Sequence, residues 1–258
     1  MTTRLEIVDL TVVERGRTIV DGVSLSLQAG EVLGVVGPNG AGKTSLLRAA
    51  LGLHRRQRGD VRLDGRELAH RGEAERARLV GYLPQERRVA WNMPARDIAA
   101  LGAPDRAADE ALALAESCLT ELEVGALADR GVLDMSGGER ARVLLARLLA
   151  TRAGVLIADE PAAGLDPEAQ FLILERLRAR AGAGAAVIVT LHDLTLAARA
   201  CDRIAVLHGG RLRALAPPAD ALSPEILAEV FALHGALVPT SAGLTLTATR
   251  VGATGSRL

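Results

Sequence analysis

Residues Gly37 to Thr44 read Gly-Pro-Asn-Gly-Ala-Gly-Lys-Thr: a glycine, four residues, then Gly-Lys-Thr. The apolar run Val32-Leu33-Gly34-Val35-Val36 before it has the character of a buried strand. Ser45-Leu46-Leu47-Arg48-Ala49-Ala50 after it has the composition and spacing of a helix. A strand, a glycine turn and a helix in that order aim successive backbone N–H groups and a helix N-terminus at a phosphate chain. Gly37, Gly40 and Gly42 let the backbone wrap closely with no Cβ in the way. In the set Gly37, Pro38, Asn39, Gly40, Ala41, Gly42, Lys43, Thr44 and Ser45, Lys43 is expected to reach the β- and γ-phosphates. The Thr44 hydroxyl is expected to face Mg²⁺. The competing reading is a chance match in a glycine-rich chain, and the flanking strand and helix weigh against it.

Composition sharpens the point. The 258 residues include 31 Lys plus Arg, and Lys43 is the only lysine. A loop enclosing phosphate suits a compact ammonium on a thin stem better than a planar fork. Formal net charge is 0, so nothing argues for nucleic acid through electrostatics. Cys118 and Cys201 lie far apart with no Cys-x-x-Cys pattern, which speaks against a disulfide framework or a zinc site and fits a reducing cytosol. The N-terminal residues lack a signal-peptide apolar core, and no stretch approaches the roughly 20 apolar residues needed to span a bilayer. A membrane role is therefore expected to run through a partner.

Along the chain, Arg4 to Leu10 alternates like a half-buried strand, with Thr11 to Glu14 extending it before a turn at Arg15-Gly16. Val23 to Leu27 alternates again, and Gly59 to Gly65 reads as a strand with an Asp-Gly turn. Leu79 to Leu83 returns to a strand. From Pro94 to about Ala150 the pattern is helical, with Leu112, Ala115, Leu119 and Leu122 on one face and Leu144, Leu145 and Leu148 on another. Strands then follow at Val155 to Ala158, Ala186 to Leu191 and Ile204 to Leu207, the last turned by Gly209-Gly210 into Arg211 to Leu215. Helices are expected over Pro167–Ala181 and Pro224–Leu233, a strand-like stretch over Leu244–Val251, and a frayed end after it. The pattern is α/β: a core lobe at 1–85 and 154–258, with a helical lobe at 86–153 inserted. There is no internal repeat and one phosphate loop.

Four apolar strands, ending at Val36, Leu83, Ala158 and Leu191, each deliver polar groups at the C-terminal end, where open α/β sheets bind ligands. Lys43, Gln85, Asp159 with Glu160, and His192 are therefore expected to converge as a nucleotide-hydrolysis set. Asp159 would hold the Mg²⁺ shell, and Glu160 would polarise the attacking water. Gln85 would sense metal and γ-phosphate, and His192 would contact the γ-phosphate. Positioning and electrostatics do most of the work in such transfers. Singly, Asp159-Glu160-Pro161 could merely open a helix, and His192-Asp193 could merely cap one. Ser136-Gly137-Gly138-Glu139 has the same double character. It is a capping box before an apolar helix, yet each glycine in that first turn costs about 1 kcal/mol against alanine.

Met135-Ser136-Gly137-Gly138-Glu139 resembles the Leu-Ser-Gly-Gly-Gln signature of ABC-transporter ATPases. The resemblance runs in order through the phosphate loop, Gln85, the signature, Val155 to Glu160, the Leu165-Asp166 loop and His192, and covers nearly the whole chain. It implies a P-loop NTPase core, a mixed sheet with flanking helices and an antiparallel β layer, carrying the inserted helical lobe. It implies ATP with Mg²⁺ held by Thr44, Gln85 and Asp159, and a head-to-tail homodimer with two ATPs between the subunits. In that dimer the signature residues Ser136, Gly137, Gly138 and Glu139 serve the partner's nucleotide, and Asp166, in the dimer loop, is among the nucleotide-binding residues. It also implies separate integral membrane permease subunits, a substrate-binding protein in the wider system, and a peripheral place on the cytoplasmic face of the cell membrane.

A finer resemblance lies in Gly81-Tyr82-Leu83-Pro84-Gln85, Pro94 to Gly102, and His192-Asp193-Leu194 through Ala198. These look like importer ATPases for iron-siderophore, haem and cobalamin. The Arg and Pro-His usual after that Leu-Gly are replaced by Ala103-Pro104-Asp105. The alternative is a soluble ABC ATPase with no transport role, such as an iron–sulfur assembly factor. The family stacks adenine on an aromatic about 25 residues before the loop lysine. The four aromatics here, Tyr82, Trp91, Phe171 and Phe231, lie elsewhere, and Val12 to Arg15 occupy the region. Val89-Ala90-Trp91-Asn92-Met93 is apolar in an expected surface loop. It is read either as the groove receiving a permease helix or as Trp91 and Met93 folding back under the helical lobe.

Overall fold

In the computed structural model, which describes residues 2–252, the N-terminal alternation forms β1 (Thr3–Glu14) and β2 (Arg17–Gln28), antiparallel across Arg15-Gly16. Leu5, Ile7, Leu10 and Val12 of β1 face inward with Val20, Val23, Leu25 and Leu27 of β2, as a half-buried pair requires. β3 (Val32–Val36) is buried along its whole length and runs through the glycine loop into α1 (Lys43–Ala50). β4 (Arg58–Leu63) and β5 (Arg66–Glu67) turn at Asp64-Gly65, both at positive φ (46° and 74°), the two-residue hairpin that Asp-Gly favours.

α2 (Glu73–Leu79) then leads into β6 (Val80–Leu83). The helical stretch is α3 (Ala95–Ala100), α4 (Ala108–Glu121) and α5 (Gly137–Ala150). β7 (Val155–Ala158), α6 (Pro167–Gly182), β8 (Ala186–Thr190) and α7 (Leu194–Ala200) alternate. β9 (Arg203–His208), β10 (Arg211–Ala216), α8 (Pro218–Ala221) and α9 (Pro224–Phe231) precede a terminal hairpin, β11 (Leu233–Thr240) and β12 (Gly243–Arg250).

The central sheet has the order β10-β9-β3-β8-β7-β6, parallel except where β10 pairs with β9. A second, antiparallel sheet, β2-β1-β4-β5, lies over one face of it. Side chains of β3 alternate between two cores. Leu33 and Val35 join the antiparallel layer and α1, while Val32 and Val36 join the core built with α4, α5, α6 and α7.

Four sequence expectations are corrected. Leu79 closes a helix, not a strand. α2 is built of strong helix formers with Glu73 and Glu75 in its first turn and Arg76 and Arg78 in its last, but it buries no residue and so shows no apolar period. The buried face of α4 is Ala111, Ala115, Cys118 and Leu119, continued by Leu122, while Leu112 is only half-buried. Leu191 lies beyond the end of β8. α9 stops at Phe231, where Ala232 turns left-handed (φ 55°), and Leu233 begins β11, which pairs residue for residue with β12. The expected frayed end falls on residues 253–258, outside the described residues.

Candidate active site

The strands β3, β8, β7 and β6 are adjacent and parallel, so Lys43, His192, Asp159 with Glu160, and Gln85 all leave the same edge of the sheet. The loop after β3 needs its glycines for space as much as for φ. A Cβ on Gly37 (φ 153°) would lie 2.1 Å from the Leu207 carbonyl oxygen, and one on Gly42 (φ 96°) 2.6 Å from that of Ile19. The N–H groups of Gly42, Lys43, Thr44 and Ser45 meet no protein acceptor among the described residues. They are the orphan donors that open every helix, here at a glycine turn. The Lys43 ammonium donates to the carbonyls of Gly37 (2.8 Å) and Pro38 (3.2 Å). Burial lowers its pKa, opposed by the charges of Glu160 and then Asp159. The Ser45 hydroxyl donates to Glu14 (3.1 Å) rather than into the loop.

The acidic pair is held by its neighbours. Asp159 is fully buried. Its Oδ1 accepts from the Thr190 hydroxyl (2.7 Å), and its Oδ2 has no partner among the described residues. Thr190 Oγ1 also accepts the Glu160 N–H (2.6 Å). Glu160 stands at φ 51°, a left-handed backbone that costs a non-glycine residue on the order of 1–3 kcal/mol and concentrates at functional sites. Its Oε1 lies 2.5 Å from His192 Nε2, and its Oε2 accepts from Gln85 Nε2 (2.8 Å). Arg87 donates to the carbonyls of Glu160 and Pro161.

Ile19, residues 39–45, Gln85, Glu160 and His192 line one cavity of about 580 Å³. Asp159 sits buried beneath this edge. Ser136, Gly137, Gly138, Glu139 and Asp166 do not line that cavity. Ser136 caps α5 in a complete capping box: its hydroxyl accepts from Glu139 N (3.2 Å), and its own N–H donates to Glu139 Oε2 (2.8 Å). The Ser136 N–H, donating to the carboxylate, pulls the Glu139 pKa down. Asp166 caps α6 through Ala169 N. Yet a Cβ on Gly137 or Gly138 would meet nothing within 4 Å, and neither has positive φ. Nothing among the described residues asks for glycine at either position.

Three residues escaped the sequence reading. Thr190 and Arg87 carry no motif of their own; their contacts exist only once β7, β8 and the segment after β6 are adjacent. Ile19, 24 residues before Lys43, carried a usable signal in that spacing, and it lines the cavity where Val12 to Arg15 were expected.

A family described as "ABC transporter" matches residues 20–163. The hemin import ATP-binding protein HmuV of Rhodococcus jostii is 44% identical over 227 residues, 86% of this chain and 77% of that protein. HmuV of Pseudomonas fluorescens Pf-5 is 44% identical over 239 residues, 89% of this chain and 93% of that protein. Among solved structures, an ATP-binding subunit of an ABC transporter superposes with TM-score 0.76 at 27% identity, covering 84% of this chain and 91% of that one. An ABC transporter in an inward-facing conformation matches the fold with TM-score 0.82 at 22% identity over 98% of this chain and 99% of that one. The chain belongs to the ABC transporter family and is an ATP-binding ATPase of it.

Proposed function

We propose that this protein is the ATP-hydrolysing subunit of a membrane importer for hemin or a related iron complex. The convergence of Lys43, Gln85, Glu160 and His192 on one cavity, beside a phosphate loop with unpaired N–H groups, carries the ATPase half of the reading. The importer half rests on relatives named for hemin import. They set aside the alternative of an ATPase without a transport role. Reconstituted with its permease in liposomes, the protein is expected to drive ATP-dependent hemin uptake; ATP turnover without movement of hemin or another iron complex would remove the importer reading.

In the proposed reaction, the loop N–H groups and Lys43 hold the phosphates. Glu160 polarises the attacking water, and His192, 2.5 Å from its carboxylate, stands where it can contact the γ-phosphate. The buried, unpartnered Asp159 Oδ2 fits a cation site; Thr44, Gln85 and Asp159 would hold Mg²⁺, which neutralises charge on the phosphates when bound. The space open over Gly137 and Gly138 supports a partner subunit's nucleotide approaching Ser136 to Glu139, and Asp166 is proposed to belong to the dimer loop of the same interface. Segment 86–153 is proposed as a helical lobe that tilts against a core lobe of 1–85 and 154–258, with Gln85 at the joint. The assembly would sit on the cytoplasmic face of the membrane through its permease, served by a substrate-binding protein.

The cavity has no Phe, Tyr or Trp among its lining residues; Ile19 stands there instead. Base stacking on an aromatic is worth roughly 1–3 kcal/mol. ATP and GTP are therefore expected to bind within about tenfold of each other, that energy being absent for both. A larger preference for ATP in a competition titration would show that adenine is read by other contacts.

Trp91 is 73% exposed, which overturns its folding back under the helices, whereas Val89 and Met93 pack half-buried against the core. An exposed aromatic on an anchored loop fits a docking site for a short permease helix. Trp91→Ala is expected to leave the basal ATPase and the melting temperature of the isolated subunit near normal, while assembly with the permease and transport fall. A drop of several degrees in melting temperature with coupling intact would place the groove elsewhere.

A further inference from the structure

Arg87 reaches from the segment after β6 to the turn after β7. One of its terminal nitrogens, Nη2, donates to two successive carbonyls, Glu160 O at 2.9 Å and Pro161 O at 2.7 Å. On the other side of the same residue, the Glu160 N–H is held by Thr190 Oγ1 at 2.6 Å. Glu160 is thus gripped at both flanking peptide groups while its φ is 51°. The direction of a Cα–Cβ bond follows from the backbone, so this grip sets where the carboxylate points before Gln85 and His192 act on it. Pro161 is buried and donates no N–H, so the turn has few other ways to be held.

We propose that Arg87 is a positioning residue for the ATPase reaction, fixing the left-handed Glu160-Pro161 turn that aims the Glu160 carboxylate. The proposal rests on the reading of Glu160 as the group that prepares the water. A single nitrogen with two N–H groups bridges adjacent carbonyls in a way no apolar or acidic side chain can. The arginine is half-buried, and burial lowers its pKa while the Glu160 charge raises it. The same short segment carries Gln85, whose amide holds Glu160 Oε2. Residues 85–87 therefore grip Glu160 at both side chain and backbone.

The test uses the full chain with Arg87→Met and Arg87→Lys, each alone and combined with Glu160→Gln. Turnover, ATP affinity and melting temperature are measured for each. Arg87→Met is expected to lower kcat by about 10- to 100-fold, the scale of a small misplacement of a reacting group, with ATP affinity unchanged within about threefold. Arg87→Lys, which keeps a multiple donor, is expected to recover much of that loss. In the Glu160→Gln background, Arg87→Met should remove less than about twofold more, because residues acting as a unit are not additive. Wild-type turnover in Arg87→Met, or equal losses in both backgrounds, overturns the proposal. Near wild-type turnover in Glu160→Gln alone removes the parent reading and the inference with it. If Arg87→Met does not fold, Arg87→Gln takes its place in the same four-way comparison.

Discussion

Glu160→Gln is expected to keep ATP binding and to lose at least about 10²-fold in turnover, since a positioned base is worth about 10²–10⁴. The substitution preserves size and the acceptor oxygen that Gln85 reaches, but removes the negative charge that would polarise a water. Nucleotide affinity should survive because the loop N–H groups and the Lys43 ammonium, held by Gly37 and Pro38, are untouched. One fewer negative charge near the γ-phosphate position favours binding, if anything. Single-turnover hydrolysis and equilibrium ATP binding on the same preparation separate the two effects. Hydrolysis near the wild-type rate would mean that another residue prepares the water.

Ser136→Arg is expected to abolish ATP-driven dimerisation while sparing nucleotide binding by the monomer. The structure makes the control sharp. Ser136 is the N-cap of α5 in a complete capping box, so losing its hydroxyl costs about 0.5–2 kcal/mol. Ser136→Ala removes the same cap without adding bulk or charge. Both variants should lose similar stability, and only the arginine should block the dimer. Light scattering in the Glu160→Gln background, where ATP persists, reads the outcome directly. Dimerisation of Ser136→Arg equal to that of Ser136→Ala would leave this turn a capping box and nothing more.

The loop from Gly37 to Thr44 was legible in the sequence because its conformation is local. Gly37, Gly40 and Gly42 all stand at positive φ, a backbone conformation that glycine adopts at little steric cost. The capping box at Ser136 was legible for the same reason: both of its hydrogen bonds close within four residues. The strands that feed the site were visible as short apolar runs, each ending in a polar residue. Their order was not. β3 lies beside β8, which aligns Val32 with Val187, and β7 separates β8 from β6.

That order comes from burying both faces of the sheet, Leu33 and Val35 against one layer and Val32 and Val36 against the other. No window of sequence contains it. Everything that depends on adjacency therefore waited for the tertiary structure. Arg87 is one arginine among many until the turn after β7 is brought within reach. Thr190 is a strand residue until Asp159 and Glu160 lie beside it. Trp91 and Met93 are both apolar loop residues, and only packing separates the exposed one from the half-buried one. The sequence by itself determined the groups proposed to carry the chemistry, because turn geometry and residue type are written within a few residues. The tertiary structure alone decided which groups hold them in place, because those contacts join segments that are tens of residues apart and meet only through burial of a shared core.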